Sequence, residues 1–284
     1  MTSNLTVASL LAEGVGRLRG SPAGTAPEAT PDLDAQVLLA HALGVARTRL
    51  RSHPEAPAGT PAALRYRALL ERRAAGEPVA YLTGEKGFWT LRLAVTPAVL
   101  IPRPETELLV ERALAVWPAG QARVADLGTG SGAIALALAS ARPAWRVVAS
   151  DVSADALAVA RANAAALQLS QVEWRLGSWF EPLAGERFDL LVSNPPYVAA
   201  DDPHLASLAH EPRLALTPGG DALACLRAII RGAGAHLEPG GWLLLEHGAT
   251  QAAAVRGELV LAGMRHVRSH RDLAGLERIT EGQQ

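Results

Sequence analysis

The 284-residue chain has one cysteine, Cys225, and one lysine, Lys86. A single thiol excludes an intramolecular disulfide, and no Cys/His cluster has zinc spacing. Cys225 therefore reads as a small apolar filler on a helix, and no metal is expected. Arginine supplies the other 26 of the 27 basic residues, which reads as compositional bias rather than a phosphate-binding device. Against 28 acidic residues the net charge is −1, so no basic balance points to a nucleic-acid partner. No apolar run reaches the roughly 18 residues of a membrane-spanning helix. Met1 to Leu11 lacks a basic region followed by a long apolar run, so no signal peptide is expected. These absences point to a cytoplasmic protein without membrane contact. Apolar residues make up 49% and charged residues 19%, enough to bury a sizeable core in one large domain or two.

The first 80 residues read as a small helical domain. Leu33, Val37, Leu38, His41 and Ala42 fall at helical spacing, and Ala63 to Arg73 is rich in helix formers. Asp32 is placed to cap the helix after it. Gly20 to Pro31 and His53 to Pro61 read as connections. Over 81–104, Tyr81-Leu82-Thr83-Gly84 and Phe88 to Val95 carry aromatic and β-branched residues, which suits a short hairpin linker. Ile101-Pro102-Arg103-Pro104 favours extended backbone, because a residue before proline avoids the helical region. Glu105 to Val116 resumes as helix.

From residue 105 to 284 a larger domain is expected. Strands are predicted at 123–127, 147–151, 172–176, 188–193 and 241–246, and a pair near the C-terminus at 266–269 and 277–280. Helices are predicted at 133–141 and 154–167, the second capped by Ser153. Alternating strands and helices imply a doubly wound α/β domain with a mainly parallel sheet covered on both faces.

Two loops at strand ends carry chemistry. Asp126-Leu127-Gly128-Thr129-Gly130-Ser131-Gly132 joins a strand to a helix, where glycine lets the backbone turn sharply and approach a ligand. Its G-x-G-x-G spacing differs from the G-x-G-x-x-G of dinucleotide binders. Asp151 ends the next strand, and a carboxylate there can accept from both hydroxyls of a ribose. NAD and S-adenosylmethionine share that ribose, so Asp151 alone leaves both open. The second loop, Asn194-Pro195-Pro196-Tyr197, follows the apolar strand Phe188 to Ser193. An amide nitrogen is a poor nucleophile and needs acceptors that orient its hydrogens while a methyl arrives. The Asn194 side-chain oxygen and the Pro195 carbonyl supply two. Paired prolines stiffen the loop, and Tyr197 offers a flat face to a planar amide or base.

With these motifs on the page, the sequence resembles the protein-(glutamine-N5) methyltransferases of peptide-chain release factors. Arg72-Arg73, Gly76-Glu77-Pro78, Tyr81 to Gly84, Phe88-Trp89, Leu100 to Glu107, Glu211-Pro212, Glu246-His247-Gly248 and Arg271-Asp272-Leu273 extend the likeness over roughly residues 30–280. The resemblance implies a seven-stranded methyltransferase sheet, S-adenosylmethionine as cofactor, and a glutamine in a Gly-Gly-Gln loop of a release factor as target. It implies that Gly128, Thr129, Gly130, Ser131 and Gly132 hold the methionine portion. Asp151 is then the ribose ligand, and Trp179 lies by the adenine. Asn194 and Pro195 accept from the glutamine amide, with Pro196 and Tyr197 beside it and Phe88 walling its pocket. Ser178 stands where the family often has an acidic residue before the tryptophan. For Arg103, Glu105 and Glu107 two readings stay open, a substrate entrance or acids at a helix start. Glu246 and His247 read as structural, and Asn163 as a surface or packing residue.

The residues leave rival functions standing. A nucleic-acid adenine methyltransferase can use a Pro-Pro-aromatic loop on a flipped base, although the neutral charge lacks the usual electrostatic footprint. A glutamine methyltransferase acting on a ribosomal protein, or a non-catalytic binding protein, could share the fold.

Overall fold

A computed structural model describes residues 5–25 and 29–284. Residues 1–4 of the Met1 to Leu11 segment, and residues 26–28 of the connection expected over Gly20 to Pro31, lie outside the described residues. The chain divides into two compact units, the first ending at Gly84 and the second running Glu85–Gln284.

The first unit consists of helices α1 (Val7–Arg19), α2 (Pro22–Thr25), α3 (Pro31–Leu43), α4 (Arg47–Ser52), α5 (Thr60–Ala74) and α6 (Val79–Thr83). Helix α1 opens with a reciprocal cap: Thr6 Oγ1 accepts from the Ser9 N–H, and Ser9 Oγ accepts from the Thr6 N–H. Leu10, Leu38, Leu39, Tyr66 and Leu70 interlock as its core. Asp32 does not cap α3. Pro31, preset for the first helical turn, starts the helix two residues before the start an Asp32 cap would give, and the Asp32 carboxylate pairs with Arg19 instead. Tyr81 to Thr83 is helical rather than part of a hairpin, because Pro78 opens a short turn that Gly84, at φ +75°, closes.

The second unit begins with the hairpin β1 (Glu85–Phe88) and β2 (Leu91–Ala94). It is packed in rather than strung out as a linker: Phe88 and Leu93 are buried in one core with Leu109, Val110 and Val124. A short 3-10 turn, Pro104–Thr106, leads into α7 (Glu107–Val116). There follow β3 (Arg123–Leu127), α8 (Ala133–Ala141), β4 (Arg146–Asp151), α9 (Ala154–Ala166), β5 (Val172–Leu176), β6 (Phe188–Ser193), α10 (Arg213–Leu216), α11 (Ala224–His236), β7 (Leu237–Glu246), α12 (Ala252–Leu261), β8 (Arg265–Arg271) and β9 (Glu277–Gln283). Ser153 Oγ accepts from the Ala156 N–H and caps α9, as its position predicted.

Seven strands form one sheet in the order β5-β4-β3-β6-β7-β9-β8. Pairing is parallel from β5 to β7, and β9 runs antiparallel to both neighbours. The buried runs Val124 to Leu127 and Leu190 to Ser193 suit central strands covered on both faces. Strand order reverses between β3 and β6, which opens a crevice at their carboxyl ends.

A buried ion cluster ties α7 to the antiparallel edge. Glu281, fully buried on β9, accepts from Arg112 of α7 and Arg268 of β8, and pairs with His270. Burial opposes its charge, yet hydrogen bonds from His270, Arg112 and Arg268 prevail and hold the carboxyl at about 2. A depressed folded pKa stabilises above the unfolded value and is lost as pH falls through the folded one. The group thus contributes above about pH 4.5, and that contribution fades toward pH 2. Glu281→Gln should lower stability at pH 7 by on the order of 2–3 kcal/mol and flatten the pH 4.5 to 2 limb of the denaturation profile. Urea titrations across that range check both.

Candidate active site

Parallel pairing sets the two loops side by side. Asp126 on β3 pairs with Val192 on β6, so Leu127 and Ser193 end their strands level. The Ser193 hydroxyl donates to the Leu127 carbonyl at 2.6 Å and joins the two ends.

The glycine loop is held from within. The N–H groups of Gly128 and Thr129 both donate to Ser150 O, and Gly130 N–H donates to Asp151 Oδ2 at 2.9 Å. Gly132 sits at φ +83°, where a Cβ would meet Leu136, Trp174 and Ala160 within 3.3 Å. Only glycine combines that backbone with such close helix–strand packing. Asp126 is wholly buried. Its Oδ2 accepts from the Thr129 hydroxyl and the Ala135 N–H, capping α8 from the preceding strand. Burial pushes its carboxyl up to about 7, against those two hydrogen bonds.

A cavity of about 360 Å³ opens at the crevice. Gly128, Gly130, Asp151, Trp179, Asn194 and Pro196 line it. Of the residues predicted for the site, Thr129 and Ser131 are buried behind the loop, Gly132 serves packing, and Pro195 is buried. Phe88 is not on this wall: it is 1% exposed inside the hydrophobic core, since alternation on β1 turns it inward. Apolar wall is supplied instead by Val99, Leu100, Pro212 and Leu214. Ser178 and Cys225 also line the cavity, so Cys225 does more than fill a helix. Burial pushes its thiol up.

Asp151 keeps both oxygens engaged by backbone, Oδ2 with Gly130 and Oδ1 with the Ser153 N–H at 2.8 Å. Each oxygen has a second lone pair for a ligand. Burial raises its pKa against those donors. Trp179 holds a left-handed backbone, φ +44°, and its ring lies 3.4 Å from where a Gly128 Cβ would stand. Such a conformation in a bulky residue is costly and persists where surroundings fix it, commonly at ligand sites.

Around the second loop, Asn194 Nδ2 donates to Thr106 Oγ1 at 3.2 Å. The Tyr197 hydroxyl donates to Glu246 Oε1 at 3.1 Å. Glu246, 1% exposed, is pushed by burial up to about 7, with the Thr106 and Tyr197 hydroxyls pulling it back. Burial and the Glu246 charge drive the Tyr197 phenol well above its usual range. Thr106 and Glu246 lie in segments that share the family likeness, but only the fold brings them to Asn194 and Tyr197.

Four other charged residues act around the site. Arg103 pairs with buried Glu211, which also accepts from the Ile101 N–H at 3.0 Å. That ties the segment behind Leu100 to the one carrying Pro212. Glu107 accepts from the Trp89 N–H and holds the hairpin turn. Glu105 acts on Glu246 through its charge. Asn163 is 2% exposed rather than superficial: it joins the Ala94 N–H and carbonyl to the Ser131 carbonyl. Among the described residues, no group of three or more His, Cys, Asp or Glu could hold a metal ion, and no helix is long and apolar enough to cross a membrane.

A glycine cradle and an Asn-Pro-Pro-Tyr loop at the switch point of this seven-stranded sheet define a methyltransferase. Residues 104–225 match the methyltransferase small domain model, and residues 9–84 match the PrmC N-terminal domain model. The hMettl16 catalytic domain shares the fold, with a TM-score of 0.57 and 17% identity over 78% of this chain and 81% of that one. The release factor glutamine methyltransferase of Xylella fastidiosa strain Temecula1 is 53% identical over 90% of this chain and 94% of its own. That of Salmonella typhimurium strain LT2 is 46% identical over 96% of both. The chain belongs to the release factor glutamine methyltransferase family.

Because buried Asn163 satisfies the Ser131 carbonyl and both part-buried backbone groups of Ala94, Asn163→Ala should cost about 2–4 kcal/mol. Chemical denaturation of the purified variant measures the loss.

Proposed function

We propose that this enzyme transfers a methyl group from S-adenosylmethionine to the side-chain amide nitrogen, N5, of the glutamine in the Gly-Gly-Gln loop of peptide-chain release factors. The observation that carries the reading is the Asn194 side chain. Its Nδ2 is spent on Thr106, so Oδ1 is left to accept from a planar N–H donor. Whole-length likeness to enzymes named for that substrate supports the choice of a protein amide over a nucleic-acid base. A net charge of −1 supports it too. A cytoplasmic site of action accords with the same substrate.

The residues fit the cofactor. Asp151 offers two oriented acceptors for a ribose diol, Gly130 leaves open space where a side chain would stand, and Trp179 gives a flat apolar face for a base. Ser178 lines the same wall, so its hydroxyl can replace the missing acidic contact to the adenine amine. The bound cofactor supplies a methyl group on a positively charged sulfur. The chain's own part is positioning and electrostatics. Asn194 Oδ1 and the Pro195 carbonyl accept from the two amide hydrogens, which aims the nitrogen lone pair and favours the positive charge that builds there. Tyr197, its hydroxyl held by Glu246, packs beside the amide plane. No strong base is needed first, because the nitrogen loses its proton after transfer. We assign the helical unit to gripping the release factor away from the reacting glutamine.

Incubation with labelled S-adenosylmethionine and purified release factor, followed by mass mapping, tests the reading. Label on the Gly-Gly-Gln glutamine is expected, and a short peptide carrying that loop should be a poorer substrate. Label on nucleic acid instead would reverse the assignment. Asn194→Ala should lower turnover by about 100-fold or more while cofactor affinity holds. For Asp151→Ala, calorimetry should show cofactor affinity weaker by about 10- to 100-fold, the loss of hydrogen bonds to a charged acceptor; unchanged affinity removes Asp151 from the ribose site.

A further inference from the structure

The turn joining β8 to β9 has no part in the chemistry, although Arg271-Asp272-Leu273 belongs to the family likeness. Register places this tip. Ser193 pairs with Leu245, Glu246 with Ile279, and Arg271 with Glu277. Residues 272–276 therefore stand at the carboxyl edge of the sheet, the edge that carries the Asn194 loop. In the strand order β9 lies two places from β6 and β8 three, so the tip is displaced along that edge by roughly 10–15 Å. Its polar groups are spent on one another. The Asp272 N–H donates to the Leu276 carbonyl, and Asp272 Oδ1 accepts from the Leu276 N–H. Arg278 donates to Asp272 Oδ2, and Arg271 to the Gly275 carbonyl. Gly275, at φ +80°, completes the turn. Leu273 is left wholly exposed at the tip, and Leu276 is exposed beside it.

A leucine alone on a surface is ordinary; several gathered around one opening mark a contact surface. Among the described residues of this unit, seven large apolar side chains are exposed, and five stand at the carboxyl edge. Val152 follows β4, Leu176 ends β5, Leu214 lines the cavity, and Leu273 and Leu276 form the tip. The other two, Val260 and Leu261, end α12 at the opposite edge, just before β8 begins. The cavity admits a side chain, and the body of a folded protein that delivers it has to rest on the edge around the opening. Arg271 and Arg278 are engaged within the tip, so this surface offers an apolar contact rather than free cations for phosphates. Resting on the function proposed above, we propose that the β8–β9 tip is a docking surface for the release factor, with Leu273 entering an apolar patch on the part of that protein that carries the Gly-Gly-Gln loop. A turn braced by its own hydrogen bonds loses little entropy on docking. The grip acts on the body of the substrate and leaves the glutamine to the cavity.

The test uses the full chain at saturating S-adenosylmethionine, with purified release factor and, separately, a short Gly-Gly-Gln peptide. Leu273→Ser should raise KM for the release factor about tenfold, the loss of one leucine buried on docking. Its kcat, its kcat/KM for the peptide, its cofactor affinity by calorimetry and its melting temperature should match wild type, because the side chain is exposed in the free enzyme. Leu273→Met keeps an apolar tip and should hold KM near wild type. Leu261→Ser removes a leucine that is 85% exposed at the opposite edge and should leave KM unchanged. An unchanged KM in Leu273→Ser, an equal rise in Leu261→Ser, or an equal loss on the peptide would each overturn the docking surface. So would a wild-type dimer in sedimentation that Leu273→Ser dissociates, since the leucine would then belong to a second copy. A wild-type enzyme that labels no release factor would instead overturn the functional reading, whereas a wild-type enzyme that labels it beside a Leu273→Ser variant of normal KM overturns this inference alone.

Discussion

Everything at the site depends on the register of β3 against β6. Two parallel strands that end level must release their following loops at the same height, on the same edge of the sheet. Asp126 opposite Val192 enforces that level, and the Ser193 hydroxyl on the Leu127 carbonyl joins the last residues. A slip of one residue would turn Val192 and Ser193 to opposite faces and separate the glycine loop from the Asn-Pro-Pro-Tyr loop. The placing of the two loops is thus a property of strand pairing before it is a property of any side chain.

Buried carboxylates do four different jobs around this frame. Asp126 caps a helix from the strand before it and sits high in its titration range, with no cation beside it. Glu281 is surrounded by arginine and histidine and sits low. Glu211 uses one oxygen on a backbone N–H and the other on Arg103, joining two wall segments. Glu246 faces hydroxyls. The residue types are alike; the partners decide whether each group locks an edge, shapes a wall or orients a neighbour.

Much of this was legible in the sequence, because it depends on local rules. Strand–helix alternation, the Ser153 cap and both loops follow from periodicity, capping chemistry and spacing. What escaped depends on long-range contacts. Phe88 looked like a pocket wall because an aromatic near a functional segment invites that reading, yet the hairpin turns it into the core. Asn163 and Ala94 are 69 residues apart, and their pairing has no local signal. Thr106 reads as an ordinary residue at a helix start, and it meets Asn194 across 88 positions. Tyr81 to Thr83 failed for a nearer reason, as Pro78 and Gly84 bracket one helical turn that the aromatic content masked.

The glycine loop has its shape fixed by its own bonds. Ser150, Asp151 and Asn163 satisfy the loop backbone from inside the protein, without help from a ligand. A rigid cradle loses little entropy when it is filled. It also has little means of telling a fresh cofactor from a spent one, because the amino-acid end it is proposed to hold, like the ribose assigned to Asp151 and the base assigned to Trp179, is common to both. The two forms differ only in the methyl group and the sulfur charge. Discrimination then falls to the Asn194 side of the cavity, and the spent form competes for the same seat after each cycle.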